Sequence, residues 1–274
     1  MNTQTQEQQL RDGYDAFHRS RAHSTWVARL YAEAMGDAYP TEVAPHSSCD
    51  WPLLATLVSQ LRLNPGDLLV DAGCGTAGVG LWLARALSAR LIGIDISPVA
   101  VDLATARRPA FVTPQRATFR VATLAATGLP DAHAHGLVCV DALGNAPDRA
   151  AALCEFLRIL RPGARAVLTR AVRHAPQSLS FEQEEAAGFI VEDVTERPEE
   201  PQMWACLYRL WITHEADLRN ELGDDQANIM LSEATRMLPR LAGRRALVMT
   251  LLRPPDPALS PTLHHAILDG EQET

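Results

Sequence analysis

Residues 68–78 read Leu-Leu-Val-Asp-Ala-Gly-Cys-Gly-Thr-Ala-Gly. An apolar run ends at Asp71, glycines follow at Gly73, Gly75 and Gly78, and an amphipathic segment comes next. This order predicts a buried strand, a tight turn and the start of a helix. Because glycine has no Cβ, the backbone of such a turn can bend sharply and approach a ligand closely. The free N–H groups at a helix start favour electron-rich ligand groups, so the stretch predicts a nucleotide-like ligand.

The chain as a whole has an ordinary globular composition. Its 274 residues are 47% apolar and 21% charged, and the formal net charge is −8. A negative chain of this kind lacks the basic face that binds a nucleic-acid backbone, so no nucleic-acid partner is expected. No apolar run reaches the roughly 18 residues that span a bilayer, which predicts no transmembrane helix and no membrane partner. The Gln-rich residues 3–9 are expected to be irregular and do not have the pattern of a signal peptide.

Five cysteines are spread along the chain, and no two of them have the spacing of a metal site. A free cysteine in an apolar strand or helix behaves as a small hydrophobic residue. We therefore expect reduced thiols, a cytoplasmic location and no metal. The five are Cys49, Cys74, Cys139, Cys154 and Cys206.

Strands and helices alternate beyond residue 65. The strands are nearly all apolar, as buried parallel strands are, and this alternation is typical of a doubly wound α/β sheet. The strands are predicted over 67–71, 90–95, 118–122, 136–141 and 164–169, and the helices over 77–88, 98–107 and 148–160.

The flanks of this region are mainly helical. A long helical segment is predicted over 10–38 and a helix over 51–61, before the turn at 64–66. After residue 176 the pattern predicts a strand over 188–194, helices over 202–217 and 225–240, and a last strand over 245–252.

Two aspartates narrow the choice of ligand. The glycine spacing also fits a dinucleotide site, so alone it decides little. Asp95 ends the second strand, where a carboxylate can accept bonds from both hydroxyls of a ribose. Asp71 precedes the glycines, where it would repel a pyrophosphate but would suit the cationic groups of S-adenosylmethionine. Helix capping is the alternative role for Asp71, and a cap at Ser97–Pro98 is the alternative for Asp95.

Four blocks of sequence together resemble the class I S-adenosylmethionine-dependent methyltransferases, particularly the small-molecule branch with the ubiquinone/menaquinone-type enzymes. The resemblance covers residues 65–170, about four tenths of the chain. It implies a seven-stranded Rossmann-like sheet with a reversed last hairpin, an N-terminal helical lid and a helical insertion before the last strand. The blocks are 68–78, 91–98, 127–143 and 157–163.

The resemblance also implies a division of the chain and a set of cofactor contacts. The division is a lid segment over 1–50, a cofactor-binding core over 51–175, C-terminal strands with a substrate lid over 176–253 in the same domain, and an irregular tail over 254–274. Family members often have an acidic residue after the third strand, where this chain has Ala122 and Thr123. The implied S-adenosylmethionine contacts are Asp71, Gly73, Cys74, Gly75, Asp95, Ile96, Thr123, Leu124, Asp141 and Ala142.

A general base for methyl transfer is hard to find in this sequence. Relatives often carry a histidine just after the fourth strand, but Asn145 stands near that place and cannot take a proton near neutral pH. His174 and His214 are the other catalytic candidates, with Asp141, His18 and His23 as alternatives. A surface or packing role is the favoured alternative for each of these histidines.

Aromatic residues predict where the acceptor binds. Trp204, Tyr208 and Trp211 recur at helical spacing, and Tyr14 lies in the N-terminal lid. These rings either form a substrate lid or pack in the core. As a lid, they favour a sizeable, relatively hydrophobic small molecule, such as a secondary metabolite or a quinone-like compound.

The sequence thus predicts an O-, N- or C-methyltransferase acting on a small molecule, as a monomer or a homodimer. The alternatives are a methyltransferase fold reused for a cyclisation or pericyclic step, a non-catalytic cofactor-binding protein, and a nicotinamide dehydrogenase. The missing histidine and the departure at Ala122 and Thr123 favour the first of these alternatives.

Overall fold

The computed structural model describes residues 3–173 and 180–256. A seven-stranded sheet forms its centre. The strands are β1 (Leu68–Ala72), β2 (Arg90–Asp95), β3 (Ala117–Val121), β4 (Ala134–Cys139), β5 (Leu160–Arg173), β6 (Ile190–Glu196) and β7 (Arg244–Leu252). The helices are α1 (Thr3–Arg21), α2 (Thr25–Met35), α3 (Trp51–Leu61), α4 (Gly78–Ala86), α5 (Pro98–Arg107), α6 (Arg149–Ile159), α7 (Glu182–Ala186), α8 (Glu200–Thr213), α9 (Glu215–Leu222) and α10 (Asp224–Met237).

The strand order is β3-β2-β1-β4-β5-β7-β6. The first five strands pair in parallel, and β7 lies antiparallel between β5 and β6. The order reverses between β1 and β4, which is the point where open α/β sheets bind their ligands. The predicted doubly wound sheet with a reversed last hairpin is confirmed.

Two apolar layers cover the faces of the sheet. Leu69 packs with α3 and α4 on one face, and its neighbour Val70 packs with α6 on the other. This alternation follows from the two-residue repeat of a strand. All five residues of β1 are buried, as expected for a central parallel strand covered on both faces.

A third apolar cluster is formed mainly by helices. It joins Leu30 and Tyr31 of α2 with Leu207 and Trp211 of α8 and with Met230 of α10. None of its buried members lies in a strand of the sheet. Glu221 of α9 strengthens this helical layer, because its carboxylate accepts hydrogen bonds from the first residues of α2.

Several predicted element bounds are wrong. Residues 3–9 are helical, not irregular, because glutamine and glutamate are good helix formers even in a polar segment. The segment predicted as one helix over 10–38 breaks after Arg21, where the Ser24 side chain caps α2 by accepting from the Val27 N–H. The segment predicted over 202–217 breaks at His214. The short helix α7 was not predicted, and residues 257–274 of the expected tail lie outside the described residues.

No helix in the described part of the chain is long and apolar enough to cross a membrane.

Candidate active site

The glycine turn follows β1 and is held by β2. The N–H groups of Gly73 and Cys74 both donate to the Ile94 carbonyl, at 2.8 and 2.9 Å. Gly73 has a φ of +76°, and a Cβ there would lie 2.3 Å from the Cβ of Ala142. Only glycine fits this position, both because of its backbone conformation and because Ala142 approaches so closely.

Asp71 is buried beside this turn, with 3% of its surface exposed. Its Oδ2 accepts the Gly80 N–H at 3.1 Å, so it satisfies a donor in the first turn of α4. A Cβ on Gly80 would lie 2.4 Å from this oxygen. Burial raises the pKa of Asp71 to about 7. Asp71 therefore caps the start of α4, which was the alternative to a ligand-binding role. The same carboxylate also lines a cavity.

Asp95 connects the glycine turn to the start of α5. Its Oδ2 accepts the Gly75 N–H at 2.8 Å, and its Oδ1 accepts the Ser97 N–H at 2.9 Å. Ser97 itself caps α5, since its hydroxyl accepts the Ala100 N–H. Each carboxylate oxygen has more than one acceptor site, so Asp95 can still bind a ligand hydroxyl.

Asp141 has a left-handed backbone at the end of β4, with a φ of +55°. Its carboxylate accepts the Ser48 N–H at 2.7 Å and the Thr169 hydroxyl at 2.9 Å. Its own N–H donates to the Thr169 oxygen at 2.7 Å. These bonds hold Asp141 in a left-handed conformation that is uncommon for residues other than glycine, although aspartate adopts it more readily than most.

A cavity of about 1070 Å³ runs from these strand ends to the helices above them. We call one side the glycine-turn end (Asp71, Gly73, Gly75, Asp95) and the other the aromatic end (Trp204, Tyr208, Trp211, Glu233). Sixteen of the predicted residues line this one cavity, counting the alternative base His18: Tyr14, His18, Asp71, Gly73, Cys74, Gly75, Asp95, Ile96, Thr123, Leu124, Asp141, Ala142, Asn145, Trp204, Tyr208 and Trp211. Their individual roles stay predictions.

Helix α1 covers the glycine-turn end. The Ser97 hydroxyl donates to Asp15 at 2.5 Å, which attaches α1 to the start of α5. His18 lies over the turn, because a Cβ on Gly75 would be 3.4 Å from the His18 ring. Its Nδ1 is buried without a partner in the described part of the chain. Burial lowers the pKa of His18.

His46 also lines the cavity, and the sequence did not predict it. Its ring packs against Tyr31 with centroids 5.9 Å apart and against Phe17 at 6.3 Å. Burial, with the nearby Arg21 guanidinium, lowers the pKa of His46 to about 3, so the ring stays neutral at physiological pH. His46 lies in a connecting segment between two helices, where no local pattern marks it.

Trp204, Tyr208 and Trp211 form one wall of the cavity. Neighbouring rings are 5.5 and 5.3 Å apart, and Tyr31 of α2 contacts both tryptophans at 6.3 and 6.5 Å. Tyr208 and Trp211 are each only 4% exposed, so they pack in the helical core as well as facing the cavity. The packing alternative and the cavity-wall prediction both fit this placement.

Glu233 of α10 and Arg21 of α1 are further cavity residues that the sequence did not reveal. The Tyr208 hydroxyl donates to the Glu233 carboxylate at 3.0 Å. Arg21 is 6% exposed and donates to the Phe17 carbonyl, and burial lowers its pKa to about 10. Both residues lie on polar positions of helices, which in a sequence look like solvated surface.

The catalytic candidates are placed differently from one another. Asn145 lines the cavity, and its side-chain N–H donates to the Asp141 carbonyl at 3.2 Å. His214 lies at the junction of α8 and α9, with its ring against Trp26 and its Nδ1 3.2 Å from Asp217. His214 is not among the cavity-lining residues, so we do not propose it as a base. His174 lies outside the described residues.

Comparison with known proteins agrees with this geometry. A family model described as "Methyltransferase domain" matches residues 70–168, the stretch from β1 to β5. This match identifies the stretch from β1 to β5 as a methyltransferase domain. The 27-O-demethylrifamycin SV methyltransferase of Amycolatopsis mediterranei is 30% identical to this chain over 57% of the chain and 56% of the relative. The 2-methyl-6-phytyl-1,4-hydroquinone methyltransferase of Synechocystis is 35% identical over 43% of the chain and 34% of the relative.

Among solved structures, the [4+2]-cyclase SpnF aligns with this chain with a TM-score of 0.71 and 18% identity, over 91% of the chain and 97% of SpnF. This likeness shows the fold. The chain spans between about a third and just over half the length of the two curated relatives.

The chemistry of the donor set at the glycine-turn end fits the family cofactor. Asp71, Asp95 and Asp141 offer carboxylates to a cationic ligand that carries a ribose. A pyrophosphate at the same turn would face the Asp71 carboxylate. The Thr123 hydroxyl and the Leu124 N–H have no partner among residues 3–173 and 180–256, so they are free to bond to a base ring.

Proposed function

We propose that this methyltransferase transfers the methyl group of S-adenosylmethionine to a small, relatively hydrophobic acceptor. The observation that carries the proposal is the placement of Asp71, a carboxylate buried beside the glycine turn and facing the same cavity as the aromatic wall. Both curated relatives described above are named as methyltransferases of small organic molecules. We infer the same substrate class, a secondary metabolite or a quinone-like compound, for this chain.

S-adenosylmethionine supplies an activated methyl group on a sulfonium, whose departure leaves a neutral thioether. The protein therefore has to align the acceptor and exclude water more than activate a leaving group. We assign the amino acid part of the cofactor to Asp71, Gly73, Cys74 and Gly75, and the ribose to Asp95. The adenine is assigned to Ile96, Thr123 and Leu124, and the region next to the methionine to Asp141 and Ala142.

We assign the acceptor to the other end of the same cavity. Trp204, Tyr208 and Trp211 offer apolar ring surface, and Tyr14 approaches from α1. Asn145 can orient an acceptor by a hydrogen bond but takes no proton. On this proposal residues 1–50 and the helices between β6 and β7 act as lids over the cavity.

The location and assembly of the protein are also proposals. The net charge of −8 and the free cysteines support a cytoplasmic enzyme without a nucleic-acid partner, as a monomer or a homodimer. Size-exclusion chromatography with light scattering measures the assembly.

The test is a transfer assay with S-adenosylmethionine labelled at its methyl group. Purified full-length chain is incubated with a panel of hydroquinones, phenols and polyketide alcohols, and labelled product and S-adenosylhomocysteine are measured together. We expect both to appear in equal amounts with at least one member of the panel. Product that forms without label would contradict methyl transfer and favour a cyclisation or pericyclic reaction on this fold.

A calorimetric titration checks the cofactor independently of any acceptor. We expect S-adenosylmethionine and S-adenosylhomocysteine to bind and NAD not to bind. Tight binding of NAD without binding of S-adenosylmethionine would overturn the assignment.

A further inference from the structure

Glu233 is a partly buried carboxylate at the aromatic end of the cavity. Its one hydrogen bond from the described residues is the 3.0 Å bond that it accepts from the Tyr208 hydroxyl. No backbone N–H of residues 3–173 or 180–256 donates to it, and no arginine there lies within ion-pair distance of it. Most acceptor sites of this carboxylate are therefore open toward the cavity.

The carboxylates at the opposite side of the cavity are bonded differently. Asp71, Asp95 and Asp141 each accept backbone N–H groups, which fixes the orientation of the carboxylates and occupies part of their acceptor capacity. A carboxylate with such bonds contributes to the local fold whether or not a ligand is bound. Glu233 has no such role in the backbone, which points to a ligand as its partner.

Tyr14 and Tyr31 lie between the two sides. Burial raises the pKa of Tyr14, and both Asp95 and Glu233 raise it further. Burial likewise raises the pKa of Tyr31, which lies within electrostatic reach of Glu233 and Asp141. Glu233 and the two tyrosines line the same cavity as the proposed cofactor residues.

Other cavity groups are poorer partners for an acceptor hydroxyl. The low pKa of His46, caused by burial and by Arg21, makes its ring a weak proton acceptor. Burial and the neighbouring Glu233 raise the pKa of Tyr208, so its hydroxyl stays protonated and donates to Glu233. Among these groups, Glu233 is the strong hydrogen-bond acceptor.

The surroundings of Glu233 also favour a neutral donor over a cation. Arg21 already lies within electrostatic reach of Glu233, so it opposes the approach of a second positive charge. The rings of Trp204 and Tyr208 offer edges and faces on which an aromatic ring packs well. A phenol combines both features, an aromatic ring and a strong neutral O–H donor.

We propose that Glu233 determines acceptor specificity by accepting a hydrogen bond from the hydroxyl group of an aromatic acceptor. This role rests on the proposed methyl transfer. A site built to bond a hydroxyl rejects the analogue that lacks it, because its own polar group then loses its partner. The acceptor class is therefore a phenol or hydroquinone with at least one free hydroxyl.

The test compares two probes with the same ring, 2-methyl-1,4-hydroquinone and its di-O-methyl ether, which has no O–H group to donate. Their binding to the full chain saturated with S-adenosylhomocysteine is measured by calorimetry without oxygen. We expect wild-type protein to bind the hydroquinone at least tenfold more tightly than the ether. Glu233→Gln should reduce this preference at least fivefold, because the substitution removes the charge of the carboxylate but keeps its shape.

One variant serves as a control. Asp225→Asn removes a charge from an exposed position of the same helix and should leave the preference unchanged.

Three results would overturn the assignment of Glu233: equal binding of both probes, binding of neither probe, or a preference that Glu233→Gln retains. Calorimetric titration with S-adenosylmethionine distinguishes a failure of the role assigned to Glu233 from a failure of the proposed function. If wild-type protein binds the cofactor but shows one of these three results, the role of Glu233 alone is refuted. If the cofactor does not bind, both proposals fall.

Discussion

At the glycine-turn end, Asp71 and Asp95 bond to backbone N–H groups that are at most 20 residues away in sequence. At the aromatic end, Glu233 bonds to a side chain 25 residues away, on another helix. The first arrangement is part of how β1, β2 and the following helices fold. The second depends on how α8 and α10 pack together. One side of the cavity is thus built by local backbone geometry, and the other by tertiary packing of helices.

The same difference explains what could be predicted from sequence. The glycine turn, Asp71 and Asp95 lie next to predicted strands, and parallel strands bring their carboxyl ends to one edge of a sheet. That rule is enough to place these residues together on the basis of the amino-acid order alone. The strand order and the reversed last hairpin were implied by the family resemblance, although β6 and β7 lie beyond residues 65–170, which carry it.

Glu233, His46 and Arg21 could not be found in this way. Each lies on a helix or a connecting segment whose orientation depends on packing against other helices, and a polar residue on an amphipathic helix normally faces solvent. His214 illustrates the opposite error, because a histidine near the predicted lid packs against Trp26 outside the cavity lining. The packing of helices against one another therefore limited the prediction more than residue type did.

The largest effect is expected from pH at Asp71. Its pKa rises from the ordinary value of 3.8 to about 7 in the folded chain, chiefly because of burial. The folded state holds this proton more tightly, so the contribution to stability is complete below about pH 4 and is lost as the pH rises through 7. Relative to Asp71→Asn, wild-type protein should lose about 2–4 kcal/mol of unfolding free energy over this range. Urea denaturation of both proteins at several pH values measures the difference.

A difference between the two proteins that stays constant from pH 4 to 8 would mean that Asp71 titrates as it does in water. The glycine-turn end would then be more hydrated than its burial implies.

Asp95→Ala is expected to weaken S-adenosylmethionine binding more than tenfold while the fold persists. The substitution removes the proposed ribose acceptor and frees the Gly75 and Ser97 N–H groups. Calorimetry measures the dissociation constant, and circular dichroism checks the fold. Asp102→Ala, at an exposed position of α5, is the matched control. An unchanged dissociation constant in Asp95→Ala would refute the ribose role.

Asn145→Ala tests whether Asn145 belongs to the acceptor part or the cofactor part of the cavity. One lost hydrogen bond contributes about 0.5–1.5 kcal/mol, so turnover should fall roughly three- to tenfold. The dissociation constant of the cofactor should stay within about twofold, since Asn145 is assigned to the acceptor. The measurement uses whichever acceptor gives labelled product in the transfer assay. The reverse pattern would move Asn145 to the cofactor side.

His214→Ala should have the smallest effect on function. The histidine contacts Trp26 and Asp217 rather than the cavity, so turnover and cofactor affinity should stay within about twofold. Thermal unfolding should show a loss of at most about 1 kcal/mol. A tenfold loss of turnover would instead bring this histidine, and the junction of α8 and α9, into the catalytic machinery.

The helical cluster around Leu30, Leu207 and Met230 shares no buried residue with the two cores that cover the sheet. Substitutions that reshape the acceptor side can therefore accumulate in this helical core. The variants that arise on the way need not destabilise the cofactor side. A chain built in this way can change its acceptor over evolutionary time while its cofactor chemistry is inherited intact.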